Sequence, residues 1–173
     1  MANPIPWYHR LELTTDPFAP GPARNGWVLA TPQWRIQADS LIKTALAGSF
    51  VGLIKGDMGS GKTTLLHQVM ESLTDWPQVR LLPIACRNDI SLLRGLAPDK
   101  DLGLDPYPAL LEHLDRQCRE GLRPLALIDD AHLLSRDELE MLVRLSQPRD
   151  QAPALLHTLM FADAAIQSRL NEL

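Results

Sequence analysis

Phe50-Val51-Gly52-Leu53-Ile54-Lys55-Gly56-Asp57-Met58-Gly59-Ser60-Gly61-Lys62-Thr63-Thr64-Leu65-Leu66 passes from an apolar run, through a glycine-rich turn, into residues at helical apolar spacing. Its centre, Gly56 to Thr63, reads G-x-x-x-x-G-K-T, a phosphate-binding pattern with a physical basis. Glycines allow consecutive backbone N–H groups to turn toward one point with no Cβ in the way, which makes a cradle for phosphate oxygens. Lys62 adds a point charge for the β- and γ-phosphates. Thr63, opening the next helix, offers a hydroxyl to Mg²⁺, and the helix N-terminus favours the anion. Gly56, Asp57, Met58, Gly59, Ser60, Gly61, Lys62, Thr63 and Thr64 are therefore the candidate phosphate-contacting residues. The strand-like run before and the helical spacing after put strand, loop and helix in the required order.

A second stretch complements the first. Leu125-Ala126-Leu127-Ile128-Asp129-Asp130-Ala131-His132 is an apolar run ending in acid, the pattern by which a strand sets a carboxylate opposite the phosphate loop. Asp129 is the candidate metal-shell residue beside Thr63, and Asp130 is placed to polarise the water that attacks a γ-phosphate. An apolar strand ending in Asp is weak evidence alone. Paired with the upstream loop it becomes specific.

The 173 residues, 45% hydrophobic and 22% charged, suit one domain with one core. A formal charge of -4 supplies no global attraction for nucleic acid, so DNA is disfavoured as a partner, although a small local patch leaves it open. Cys86 and Cys118 match neither a disulfide framework nor a zinc spacing, which points to free thiols and a cytoplasmic location. The first residues lack the basic and apolar regions of a secretory signal, and no run approaches membrane-spanning length, so no membrane contact is expected from this segment.

In chain order, residues 1–32 carry many prolines and read as an extended arm packing on a core of residues 33–173. Tyr8 to Leu13 suits a short helix or strand. Phe18, Trp27 and Trp34 either form a wall for an adenine ring or pin the arm to the core. Gln33 to Ala47 reads as a helix with Ile36, Leu41, Ile42, Ala45 and Leu46 on one face, stopping at Gly48. Val79 to Ala85 is a strand whose Pro83 belongs at an end or on an edge. Ile90 to Leu96 and Pro108 to Glu120 read as helices, the second stopped by Gly121. Ser135-Arg136-Asp137-Glu138 is a capping box opening a helix to about Leu145. Leu155 to Phe161 is a fourth strand, and Ala164 to Leu170 is helical. His132 and His157 read as loop and strand residues, since no Cys/His cluster accompanies them. Alternating strands and helices imply an α/β fold with a mostly parallel sheet covered on both faces.

With these motifs in place, the chain resembles the ExeA/GspA-type AAA+ ATPases of general (type II) secretion and pilus systems. The resemblance rests on Tyr8, the L-x-x-x-P-F opening within Leu11 to Phe18, Gly56 to Leu66, L-I-D-D-A-H-L-L-S at Leu127 to Ser135, and Leu155 to Leu170. ATPases with a SPOR-type envelope domain, similar to DamX, and TniB/TnsC-type transposition regulators share the pattern. It implies a P-loop NTPase, AAA+-like three-layer sandwich whose helical lid is absent from this chain. It also implies ATP and Mg²⁺ as cofactors, assembly into a ring or other oligomer, and an adenine nucleotide and a cell-envelope assembly protein as partners. Three departures bear on mechanism. The family's glutamate at the Asp130 position is one methylene longer, so hydrolysis is expected to be slow or to depend on assembly. Asp163 stands where the family has a polar Gln or Asn, and a carboxylate there opposes phosphate unless neutralised or turned away. No arginine finger is readily identified, and Arg149 and Arg169 are either guesses for that role or solvated surface charges. The leading expectation is an ATPase with Lys62 and Asp130 as its catalytic residues. The alternatives are a nucleotide-controlled interaction module with vestigial hydrolysis and an ATP-dependent regulator of DNA transposition.

Overall fold

Apolar strands separated by helices cannot pair as hairpins, because each return to the sheet passes over one of its faces and leaves the strands parallel. The computed structural model describes residues 6–14, 16, 31–47, 51–86, 91–98, 100–150 and 152–171, and it has this arrangement. Strands β1 (Val51–Lys55), β2 (Val79–Ala85), β3 (Arg123–Asp129) and β4 (His157–Ala162) form one parallel sheet in the order β1-β4-β3-β2. The two central strands carry the longest buried runs, Pro124 to Ile128 in β3 and all of β4. Pro83 lies in β2, on the sheet's edge, where a missing N–H removes no ladder bond on the open side.

Among the described residues six α-helices cover the faces: α1 (Pro32–Ala47), α2 (Lys62–Leu73), α3 (Leu92–Leu96), α4 (Pro106–Arg119), α5 (Arg136–Leu145) and α6 (Ile166–Leu170). Successive side chains of a strand point to opposite faces, so each central strand feeds two cores. Leu125, Leu127, Leu159 and Phe161 pack with α1 and α2. Ala126, Ile128, Met160 and Ala162 pack with α3 to α6. The molecule is therefore a helix–sheet–helix sandwich, as the alternating pattern requires. Among the described residues no helix is long and apolar enough to cross a membrane.

Several local expectations shift by a residue or two. Helix α1 starts at Pro32 and α4 at Pro106, each with proline in the first turn, where its missing N–H has no intrahelical partner to lose. Ile36 does not belong to the buried face of α1, being 69% exposed. The 3.6-residue period puts Trp34, Ala38, Leu41, Ile42 and Ala45 toward the sheet and turns position 36 to the opposite side. Residues Trp7–Leu11 form a single 3-10 turn. Most of the arm, with Phe18 and Trp27, and the Gly48 helix stop lie outside the described residues.

Helix ends follow the local chemistry. Gly121, at φ 82°, closes α4, and Leu122 N–H donates back to Gln117 O at 3.0 Å. Ser135 Oγ accepts from Glu138 N at 3.3 Å while Glu138 Oε2 accepts from Ser135 N at 2.7 Å, completing the capping box of α5. Removing this cap with Ser135→Ala should lower the free energy of unfolding by about 1 kcal/mol, read as a shift in the urea midpoint with unchanged slope.

Candidate functional site

Parallel strands share a direction, so the C-terminal ends of β1, β3 and β4 open onto the same edge of the sheet, where ligands of such folds gather. The loop after β1 is anchored there by Gly56 N–H donating to Ala162 O at 3.2 Å. Gly59 at φ 79° and Gly61 at φ 88° lie in the left-handed region that side chains disfavour. A Cβ built on either meets nothing within 4 Å, so the backbone turn, rather than crowding, is what demands glycine here. Asp57, Met58, Gly59 and Ser60 are exposed around the loop, Met58 at 90%. Helix α2 begins directly after Gly61, so the amides of its first turn, Lys62 to Thr64, have no intrahelical acceptors.

Two contacts organise the polar groups. Lys62 Nζ folds across the loop and donates to Gly56 O at 2.8 Å and Asp57 O at 2.9 Å. Thr63 Oγ1 donates to Asp129 Oδ2 at 2.7 Å, bringing together residues from α2 and β3 that are 66 positions apart. The other carboxylate oxygen, Asp129 Oδ1, accepts from Asp130 N at 3.1 Å. A hydroxyl and a carboxylate on one point form a hard oxygen pair of the sort Mg²⁺ uses, the ion drawing its remaining ligands from water and phosphate. Among the described residues no group of three or more His, Cys, Asp or Glu forms a protein-only cage. The donor set thus fits Mg²⁺ held jointly with a phosphate chain.

A cavity of about 420 Å³ adjoins the loop, bounded by Trp34, Gln37 and Ser40 of α1, by Lys55 at the end of β1, and by Gly61 and Lys62. Of the three aromatic residues weighed for a base pocket, Trp34 stands on this wall, while also packing against the core beneath α1. Gln37 and Ser40 were not singled out in the sequence because polar residues on a helix are solvated by default.

On the other side of Asp129 the chain turns sharply. Asp130 has φ 53°, a left-handed conformation that Asp tolerates better than most side chains, and it precedes a 3-10 turn at Ala131–Leu133. His132, in that turn, directs Nε2 to within 3.5 Å of Asp163 Oδ2. Asp163 Oδ1 accepts from Ala165 N at 2.9 Å, so this carboxylate is engaged with His132 and the start of α6, the turned-away alternative of the sequence reading. Arg169 is neither an outward finger nor a solvated charge. Its Nη1 donates to His132 O at 2.5 Å and its Nη2 to Leu134 O. Arg149 pairs with Asp115 at 2.8 Å and holds that carboxyl below its usual range. His157 is the first residue of β4.

Residues 47–170 match the AAA domain family. The chain belongs to that family. No curated protein matches this AAA domain at a significant level. Among solved structures it is similar to Cdc6p from Pyrobaculum aerophilum, with 20% identity and a TM-score of 0.70 over 88% of this chain and 44% of that one. It is also similar to the ORC2 protein of Aeropyrum pernix. The ADPNP–ADP complexes give 21% identity and a TM-score of 0.62 over 82% of this chain and 44% of that one. The ADP form gives 19% identity and 0.62 over 88% and 45%. At such identities the likeness is one of fold, and the chain spans less than half the length of these proteins.

Cys86, just past β2, reports on the acidic side of the site. Burial first, then the charges of Glu138, Asp130 and Asp129, push its thiol up to about 11. Its thiolate fraction at pH 8 should therefore be about a hundredfold below that of an ordinary thiol, and alkylation should accelerate as pH rises toward 11. Peptide mapping after iodoacetamide treatment checks this, and labelling at pH 8 as fast as free cysteine would contradict it.

Proposed function

We propose that this AAA domain binds ATP with Mg²⁺ and cleaves the γ-phosphate, slowly or on assembly. The observation that carries the reading is the 2.7 Å contact between Thr63 and Asp129, which joins the phosphate loop to the acidic strand end. The amides from Gly59 to Thr64 would cradle the phosphates, and Lys62 would exchange its bonds to Gly56 O and Asp57 O for phosphate oxygens. Thr63 and Asp129 would hold Mg²⁺, which when bound neutralises charge on the β- and γ-phosphate oxygens. Asp130, adjacent to Asp129, would orient the attacking water and accept its proton. Trp34 would stack on the base beside the 420 Å³ cavity.

The work driven by this cycle is proposed from the resemblance to secretion ATPases: assembly or regulation of a cytoplasmic-face, cell-envelope machine, by an oligomer. A second reading is favoured by Asp130 itself, one methylene shorter than the family's glutamate. In it, ATP orders the surface for a partner and hydrolysis is vestigial. A transposition-type role would instead show ATP-dependent retention on duplex DNA that weakens as salt rises.

Lys62→Ala should weaken ATP affinity by at least about a hundredfold in calorimetry, since it removes the loop's ammonium group. Asp130→Asn should leave that affinity within about threefold while lowering phosphate release by about a hundredfold. Equal turnover in wild type and the Asn variant would remove Asp130 from the mechanism and favour the interaction module.

A further inference from the structure

Asp163 and Arg169 occupy the segment where β4 hands over to α6; Arg169 is used in neither of the ways the sequence suggested, and Asp163 takes the turned-away alternative. Both face the turn that follows Asp130. The guanidinium of Arg169 spans two carbonyls of that turn, His132 O and Leu134 O, in the fork geometry a planar donor provides. From the same side, the Asp163 carboxylate faces His132 Nε2 at 3.5 Å while its other oxygen caps the Ala165 amide. Within the turn, Leu133 N donates to Asp130 O at 2.9 Å and Leu134 N to Ala131 O at 3.2 Å. On its other flank, Asp130 N is held by Asp129 Oδ1. Asp130 therefore sits, in a left-handed conformation, between a clamp on the metal-side carboxylate and a clamp on α6.

We propose that Arg169, with the His132–Asp163 pair, is a positioning device that fixes the turn carrying Asp130, and that Asp163 belongs to this clamp and not to the phosphate site. The catalytic part of the proposal rests on the Mg²⁺-ATP reading above; the mechanical part does not. A left-handed, non-glycine residue persists only where its surroundings over-determine it. Two side-chain donors to consecutive-turn carbonyls do this from a separate element. Movement of α6 would then be felt directly at Asp130, and holding α6 would hold the water-orienting carboxylate.

The test uses Arg169→Lys, which keeps the charge but cannot bridge both carbonyls, and Arg169→Ala, which bridges neither. Hydrogen exchange on the nucleotide-free protein should rise by about tenfold at Leu133 and Leu134 in the Lys variant and further in the Ala variant, with β3 and α4 unchanged. With Mg²⁺-ATP, kcat should fall by about tenfold in the Lys variant while ATP affinity stays within about twofold. Unchanged exchange at the turn, or unchanged kcat beside measurable wild-type turnover, overturns the positioning role. Should Arg169→Ala fail to fold, the Lys variant carries both measurements. Asp163→Asn should leave the ratio of ATP to ADP affinity within about twofold by calorimetry, and ATP tightening relative to ADP by about fivefold or more would place this carboxylate against phosphate and overturn its assignment. Wild-type protein that binds neither nucleotide defeats the Mg²⁺-ATP reading, and the exchange measurement still decides the clamp.

Discussion

The constraint on which the structure depends is the common direction of its strands. Because every connection between strands passes through a helix, β1, β3 and β4 end on one edge of the sheet, and their three following loops meet. One hydrogen bond, Thr63 to Asp129, records that meeting at atomic scale. Without the parallel register, a hydroxyl at the start of α2 and a carboxylate at the end of β3 would have no reason to converge. With it, the glycine-rich loop, the acidic strand end and the β4–α6 junction become parts of one site.

Burial and chemistry are separated along each strand. The central strands spend alternating residues on two cores, so little of their length can carry polar function, and the first residues available for it are those where the strand stops. Asp129 is the last residue of β3, partly exposed after a fully buried run. The same logic places Asp163 just past β4 and Cys86 just past β2. The acidic strand end has an electrostatic signature that reaches as far as Cys86, whose thiol is pushed up by burial and by three neighbouring carboxylates.

The loops differ in what holds them. The phosphate loop is held largely within itself, by two left-handed glycines and the Lys62 side chain returning to two carbonyls, with one anchor on Ala162 O of β4. The turn after Asp129 is short and is braced from elsewhere, by Arg169 and by Asp163. That contrast gives the two halves of the site different mechanical character. One is preset by local sequence, and the other takes its geometry from α6.

The phosphate loop, the acidic strand end, the capping box at Ser135 and the parallel α/β class were legible in the residues because each is a local effect: glycine conformations, strand periodicity and a three-residue cap are decided within a few positions of one another. Even Pro83 announced a strand end or an edge, since it lacks the donor an interior strand needs, and the edge is where it lies. Beyond Thr63 and Asp129, whose meeting the two motifs implied, the chain could not disclose by itself which distant groups would meet. Ile36 looked like part of an apolar face and is turned outward because helix rotation, set by packing of Trp34, Ala38 and Ala45, decides the face. Arg169 looked like a surface charge or a finger, and Asp163 like a carboxylate that had to be neutralised or turned away from phosphate by a partner the sequence did not name, yet both are drawn to His132 and its turn across more than thirty positions of sequence. Such pairings follow from strand order and helix docking, which are properties of the folded whole, and nothing within a short window of sequence encodes them.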